Sequence, residues 1–149
     1  MINQTIKDRV LQSIKETNEF FENITVDELR SKLLNLPSNT VGAQAWCIIG
    51  ARESYMKAYV AGKWVGFECS LTEIYDASKV KQKLVETAKM VEDLMNQYPD
   101  KNEHQLIDLL EHEVMHHGQL IRYAYANRIL FPMSWIHKYA LDQVKPKNE

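Results

Sequence analysis

The chain has 149 residues, with 18 Lys and Arg against 20 Asp and Glu, a formal net charge of −2. With 45% hydrophobic and 26% charged residues it has the balance of an ordinary folded protein, and no basic stretch points to nucleic acid as a partner. No run is long and apolar enough to span a bilayer, and Met1–Arg9 lacks the apolar core of a signal peptide, so a cytoplasmic protein with no membrane partner is expected.

The length fits one domain over residues 1–149, large enough to bury a core without disulfides. Cys47 and Cys69 have no framework spacing and are expected as reduced thiols. Only five glycines and four prolines interrupt the chain, which favours long helices.

Ile6, Val10, Ile14, Thr17 and Phe21 recur at helical spacing and predict a first helix over Asn3–Asn23. Thr25-Val26-Asp27-Glu28 reads as a capping box and starts a short helix over Val26–Leu34. After the loop Leu36–Thr40, a helix over Val41–Ala61 is apolar on most sides, with Arg52, Glu53 and Lys57 its only charges. Such a helix is usually central in a bundle. Gly62–Phe67 ends it, and the stretch from Cys69 to Tyr75 reads as loop with one short turn.

Asp76 or Ser78 can cap a third long helix over Lys79–Tyr98, with Val80, Leu84, Ala88, Val91 and Met95 facing inward. A fourth runs from Asn102 to Asn127 and carries Leu109, His112, His116, Leu120 and Tyr123 as one stripe. A short helix over Met133–Asp142 and a frayed tail, Gln143–Glu149, complete the chain. The predicted fold class is all-α, a four-helix bundle with additional short helices. The long links at Asn35–Thr40 and Gly62–Tyr75 make a crossover plausible.

The chemistry concentrates in the fourth helix. His112 and His116 are four residues apart and therefore share a face. Neutral imidazole is a common ligand of divalent metals, so the pair reads as half of a metal site; the alternative is two core histidines, each hydrogen-bonded to a neighbour. The third ligand must come from another helix, and the second long helix offers Gln44, Cys47 and Glu53. Cys47 is the best of these, since thiolate binds zinc well. A shared tetrahedral ion requires its sulfur within about 4 Å of an imidazole nitrogen. Asp108, one turn before His112, is a candidate hydrogen-bond partner for that ring.

His112-Glu113-Val114-Met115-His116 also fits the H-E-x-x-H pattern of zinc proteases, with Glu113 as base. Three fixed positions match by chance often, and the longer metzincin pattern fails at Gly118 and Tyr123, so this reading is set aside. Glu113 is expected off the inner stripe. Trp46, Trp64 and Trp135 read as core or interface aromatics. There is no phosphate loop, no C-x-x-C and no Ser/His/Asp signature.

His112-x-x-x-His116-His117-Gly118-Gln119 resembles the H-x-x-x-H-R-G-Q segment of the DinB/YfiT-like family, with His117 in the arginine position. Trp46-Cys47-Ile48-Ile49 is similar to that family's W-H-hydrophobic segment, and Phe131-Pro132-Met133-Ser134-Trp135 to its closing proline–tryptophan element. The resemblance covers nearly the whole chain and implies a DinB-like bundle, often dimeric. It also implies a divalent metal, zinc or nickel, held by His112, His116 and a residue at position 47, where the family has histidine and this chain has Cys47. Family activities include metal-dependent transfer from a low-molecular-weight thiol to a small electrophile. If the cysteine weakens or abolishes the site, a non-catalytic dimeric binding or stress-response module is the other expectation.

Overall fold

The computed structural model describes residues 1–147. Its helices are α1 (Gln4–Phe21), α2 (Val26–Leu29), α3 (Val41–Ala61), α4 (Ala77–Gln97), α5 (His104–Asn127) and α6 (Met133–Tyr139), and no strand occurs among the described residues.

Side-chain caps set most starts: Asn3, Thr25, Thr40 and Asp76 each accept a bond from a first-turn backbone N–H. The capping box at Thr25 and Glu28 is complete. The helix it opens stops after one turn, short of the predicted Leu34. Arg30 caps it, Ser38 Oγ takes the Leu33 N–H, and Leu34 turns to a left-handed φ of 51°. α6 likewise ends at Tyr139, before Asp142, because Ala140 adopts a left-handed φ of 51°.

The four long helices form a square in which α5 packs on α1 and α3, and α4 packs on α3 and α1. Their directions follow from end contacts. The Ile2 N–H donates to Pro99 O, so the start of α1 meets the end of α4 and the two run antiparallel. Tyr59 donates to Tyr98 O, placing the ends of α3 and α4 together. Tyr123 donates to Asn39, so α5 runs against α3.

Since α3 and α4 are parallel, residues 62–76 must return the length of the bundle. They do so as a crossover strap along the outside of α3. Gly62 releases the strap at a φ of 77°. Gly42 and Gly50 let it approach: a Cβ there would lie 2.3 Å from Ile74 O and from Phe67 Cζ respectively.

The apolar core is in two parts. One joins Phe20, Phe21, Ile48, Leu120, Tyr123 and Trp135; the other joins Val10, Ile14, Met56, Val91, Leu106 and Leu109. Between them every long helix contributes a buried polar residue: Thr17, Arg52, Thr87 and Glu113. The tail does not fray at its start. Gln143 bonds both Phe131 N and Phe131 O, and Val144 packs on the core; Asn148 and Glu149 lie outside the described residues. No helix among the described residues is long and apolar enough to cross a membrane.

Candidate metal centre

At 3.6 residues per turn, α5 sets the His112 and His116 rings one above the other, with centroids 4.5 Å apart. The antiparallel α3 brings Cys47 across from them. Cys47 Sγ lies 3.6 Å from His112 Nε2, and one ligand atom from each of Cys47, His112 and His116 lies within 4.8 Å of the others. For an ion bound tetrahedrally at zinc-like bond lengths, sulfur and nitrogen would be separated by about 3.6 Å. Three protein ligands leave a fourth position open, the arrangement of catalytic rather than structural zinc sites.

The orientation of His116 favours a ligand. The residue is 3% exposed, and its Nδ1 lies 2.5 Å from Gln44 Oε1. A carboxamide oxygen only accepts, so Nδ1 carries the hydrogen and Nε2 the lone pair. That Nε2 is buried and has no partner, as is His112 Nδ1. Buried polar atoms rarely go unpaired, and a cation held by Cys47 Sγ and His112 Nε2 would satisfy the His116 Nε2, whereas His112 Nδ1 lies on the other side of its ring. Gln44 is itself held, its Nε2 donating to Asn39 Oδ1 at 3.1 Å.

Electrostatics favour neutral ligands. Burial pulls His116 down to about 4, with His112 adding to the effect, and burial also lowers His112. Burial pushes the Cys47 thiol up. A divalent cation would reverse that shift by stabilising the thiolate.

Of the other residues singled out in the sequence, Gln44 orients His116 instead of ligating. Glu53 Oε1 accepts from the Ser70 N–H of the strap, away from the site. Asp108 is exposed and makes no hydrogen bond to His112. His112 stands at the edge of the buried face of α5, half-exposed, whereas Leu106, Leu109, Glu113, His116, His117, Leu120 and Tyr123 fill it.

Glu113 is the main correction. It lies on the inner face, 1% exposed, and its Oε1 accepts from Arg52 Nε at 2.6 Å. Thr17 Oγ1 is 2.6 Å from Glu113 Oε2 and 2.7 Å from His117 Nε2, and His117 Nδ1 is 2.7 Å from the Tyr139 hydroxyl. The remaining Arg52 donors reach Leu84 O and Thr87 on α4 and Ile14 O and Asn18 on α1. One arginine thus ties α3 to the other three long helices. Glu113 and His117 point into this network, away from the open side of the metal position, and neither is placed to move a proton there. A lone arginine within the apolar helix Val41–Ala61 was the sequence signal for a buried carboxylate partner.

The tryptophans divide. Trp135 is core, donating from Nε1 to Glu16 O, while Trp46 is 39% and Trp64 51% exposed. Trp64 packs on Tyr55, whose ring centroid lies 6.1 Å from that of His112; Trp46 packs on Phe67 of the strap. Tyr55, backed by Trp64, gives the site an aromatic border on the His112 side. A separate groove of about 700 Å³ lies between α1 and α4, on the opposite side of the square, and no metal-ligating cluster lines it among the described residues.

No family model matches the chain, and no curated protein matches it. The likeness to the DinB/YfiT-like family therefore rests on the residues at positions 46–49, 112–119 and 131–135.

Proposed function

We propose that the chain binds a divalent metal ion, zinc or nickel, through Cys47, His112 and His116, and uses it to transfer a low-molecular-weight thiol to a small electrophile, or to hydrolyse one. The observation that carries this reading is the buried, unpartnered Nε2 of His116 beside the 3.6 Å Cys47–His112 contact. The motif likeness adds the reaction class.

When bound, the ion supplies a Lewis acid that stabilises the deprotonated form of a small thiol or of water. The chain's own residues do the rest. Gln44 fixes the His116 tautomer. Cys47 contributes a negative charge, which lowers the Lewis acidity below that of a three-histidine set. Tyr55 and Trp64 offer apolar surface next to His112 for the electrophile.

The cysteine also favours a second reading, a non-catalytic binding module in which the metal site is weakened or lost. Metal content and turnover separate the two. The tag-free protein, reconstituted with zinc or nickel, is expected to hold one equivalent by mass spectrometry and to lose it in His112→Ala. It should then consume a small thiol together with a model electrophile such as monochlorobimane. No metal after reconstitution would sink the enzyme and leave the module; metal without turnover would leave the module as well, with its site altered.

A further inference from the structure

The rim beside the candidate metal position carries charge of one sign. Asp108 stands one turn before His112, which sets the two side chains about 5–6 Å apart at Cβ, and Glu111 directly precedes His112. Both acids are exposed, and neither makes a salt bridge among the described residues. Across from them on α3, Tyr55 is half-buried next to His112. Burial raises the Tyr55 hydroxyl, and Asp108, Cys47 and Glu111 raise it further, so both carboxylates lie within electrostatic reach of that ring. No lysine or arginine acts on it in return. Lys57, two residues along α3, is paired with Glu68 of the strap.

Two exposed acids do not make a site by themselves, since solvated helix faces carry such groups routinely. Here a second feature points to a ligand. His116 is 3% exposed, its Nε2 has no partner, and it is grouped with Cys47 and His112 around a position that can take one more ligand. A molecule at that position lies against half-exposed His112, and so beside Asp108, Glu111 and Tyr55. The charge of those neighbours then selects among ligands. A carboxylate on the bound molecule would face two like charges. An ammonium group would face two opposite charges, and the Tyr55 ring adds a face that attracts cations.

We infer that the site selects a small thiol bearing a cationic amine over one bearing a carboxylate, with Asp108 and Glu111 as the residues that recognise the ammonium group. The position of the sulfur rests on the metal site proposed above, whereas the sign of the rim does not.

Probes matched in size and opposite in charge test this in two forms of the protein. In the metal-free chain, Cys47 is treated with cystamine or with 3,3′-dithiodipropionate, and its modification is timed by peptide mass spectrometry. The Cys47 thiol gives up its proton and bonds to one sulfur of the probe, the probe's S–S bond breaks, and the other half leaves as a thiol. Cystamine is expected to react about fivefold faster or more, with the gap narrowing at high salt. The ratio of the two rates cancels any change in the reactivity of Cys47 itself. Asp108→Lys should abolish or reverse the preference. Glu92→Lys, the same change of charge on the far side of the bundle, should leave it intact. Both positions are exposed, so unchanged helical circular dichroism will show that the fold is kept.

In the zinc-loaded chain, calorimetry should show cysteamine binding about fivefold or more tighter than 3-mercaptopropionate, with the same response to Asp108→Lys. An anionic disulfide that modifies Cys47 as fast as cystamine, or a preference that survives Asp108→Lys, overturns the inference. A chain that takes up no zinc sinks the metal-dependent enzyme instead, and the Cys47 rates then decide the charge selectivity alone.

Discussion

Two faces of α5, offset by one residue along the helix, bury polar groups in opposite ways. On the side toward α1, Glu113 and His117 enter a network in which Arg52, Thr17, Asn18, Thr87 and Tyr139 satisfy one another. On the side toward α3, His112 and His116 each keep a buried nitrogen with no partner, and the Cys47 thiol meets the other nitrogen of His112. Burying a polar group costs free energy in either case. The first region recovers that cost within the chain. The second does not, and that is why it reads as the place for something the chain itself lacks. The HExxH-like run therefore spans two environments, with its histidines on one side and its glutamate on the other.

Acid should break both regions at once, and it is the largest perturbation expected. Burial holds His116 and His117 down to about 4, against an ordinary value near 6.5. The folded chain thus binds fewer protons than the unfolded chain between those values. Stability of the metal-free protein should be complete above pH 6.5 and fall steadily as pH drops toward 4. Each unit of depression is worth about 1.4 kcal/mol per histidine. Urea midpoints across this window would show it; a flat profile would mean that both rings are protonated in the folded state as readily as in the unfolded one.

Glu113→Ala separates the regions. It leaves the guanidinium of Arg52, 0% exposed, without its carboxylate, and should cost about 3–5 kcal/mol. His116→Ala in the metal-free protein should cost clearly less, because it removes one partnered and one orphaned nitrogen together. Urea unfolding of both variants measures the contrast, and equal losses would erase the distinction drawn between the two sides.

The all-α class and the long helices were legible because Ile6-Val10-Ile14, Val80-Leu84-Val91 and the caps at Thr25 and Asp76 are local signals. The Cys47–His112–His116 cluster was legible in part: i, i+4 spacing pairs His112 with His116, but that Cys47 faces them depends on the rotation of α3. The inward placement of Glu113 was hidden because periodicity counts apolar residues, and here the buried face of α5 carries a carboxylate and two imidazoles. Arg52 hid for the same reason. The strap at 62–76 left a different trace, two glycines eight residues apart on α3, which only the packed structure explains.

Gln44→Ala tests the unpaired side with the smallest change. The Gln44 carbonyl holds the His116 Nδ1 hydrogen, so the ring presents Nε2 toward Cys47 and His112. Asn39 holds the Gln44 amide, and Tyr123 holds Asn39. Alanine removes the acceptor. The ring is then free to rotate or to exchange tautomer, and part of the ensemble turns a protonated nitrogen toward the ion. Loss of such a partner typically lowers metal affinity about 10–100-fold, equivalent to roughly 1.4–2.7 kcal/mol. Competition titration against a chelating indicator would read that loss, while Gln44→Glu, which keeps an acceptor, should retain or raise affinity. Unchanged zinc affinity in Gln44→Ala would mean that His116 binds through no fixed tautomer, and the two sides of α5 would then differ less than their hydrogen bonds imply.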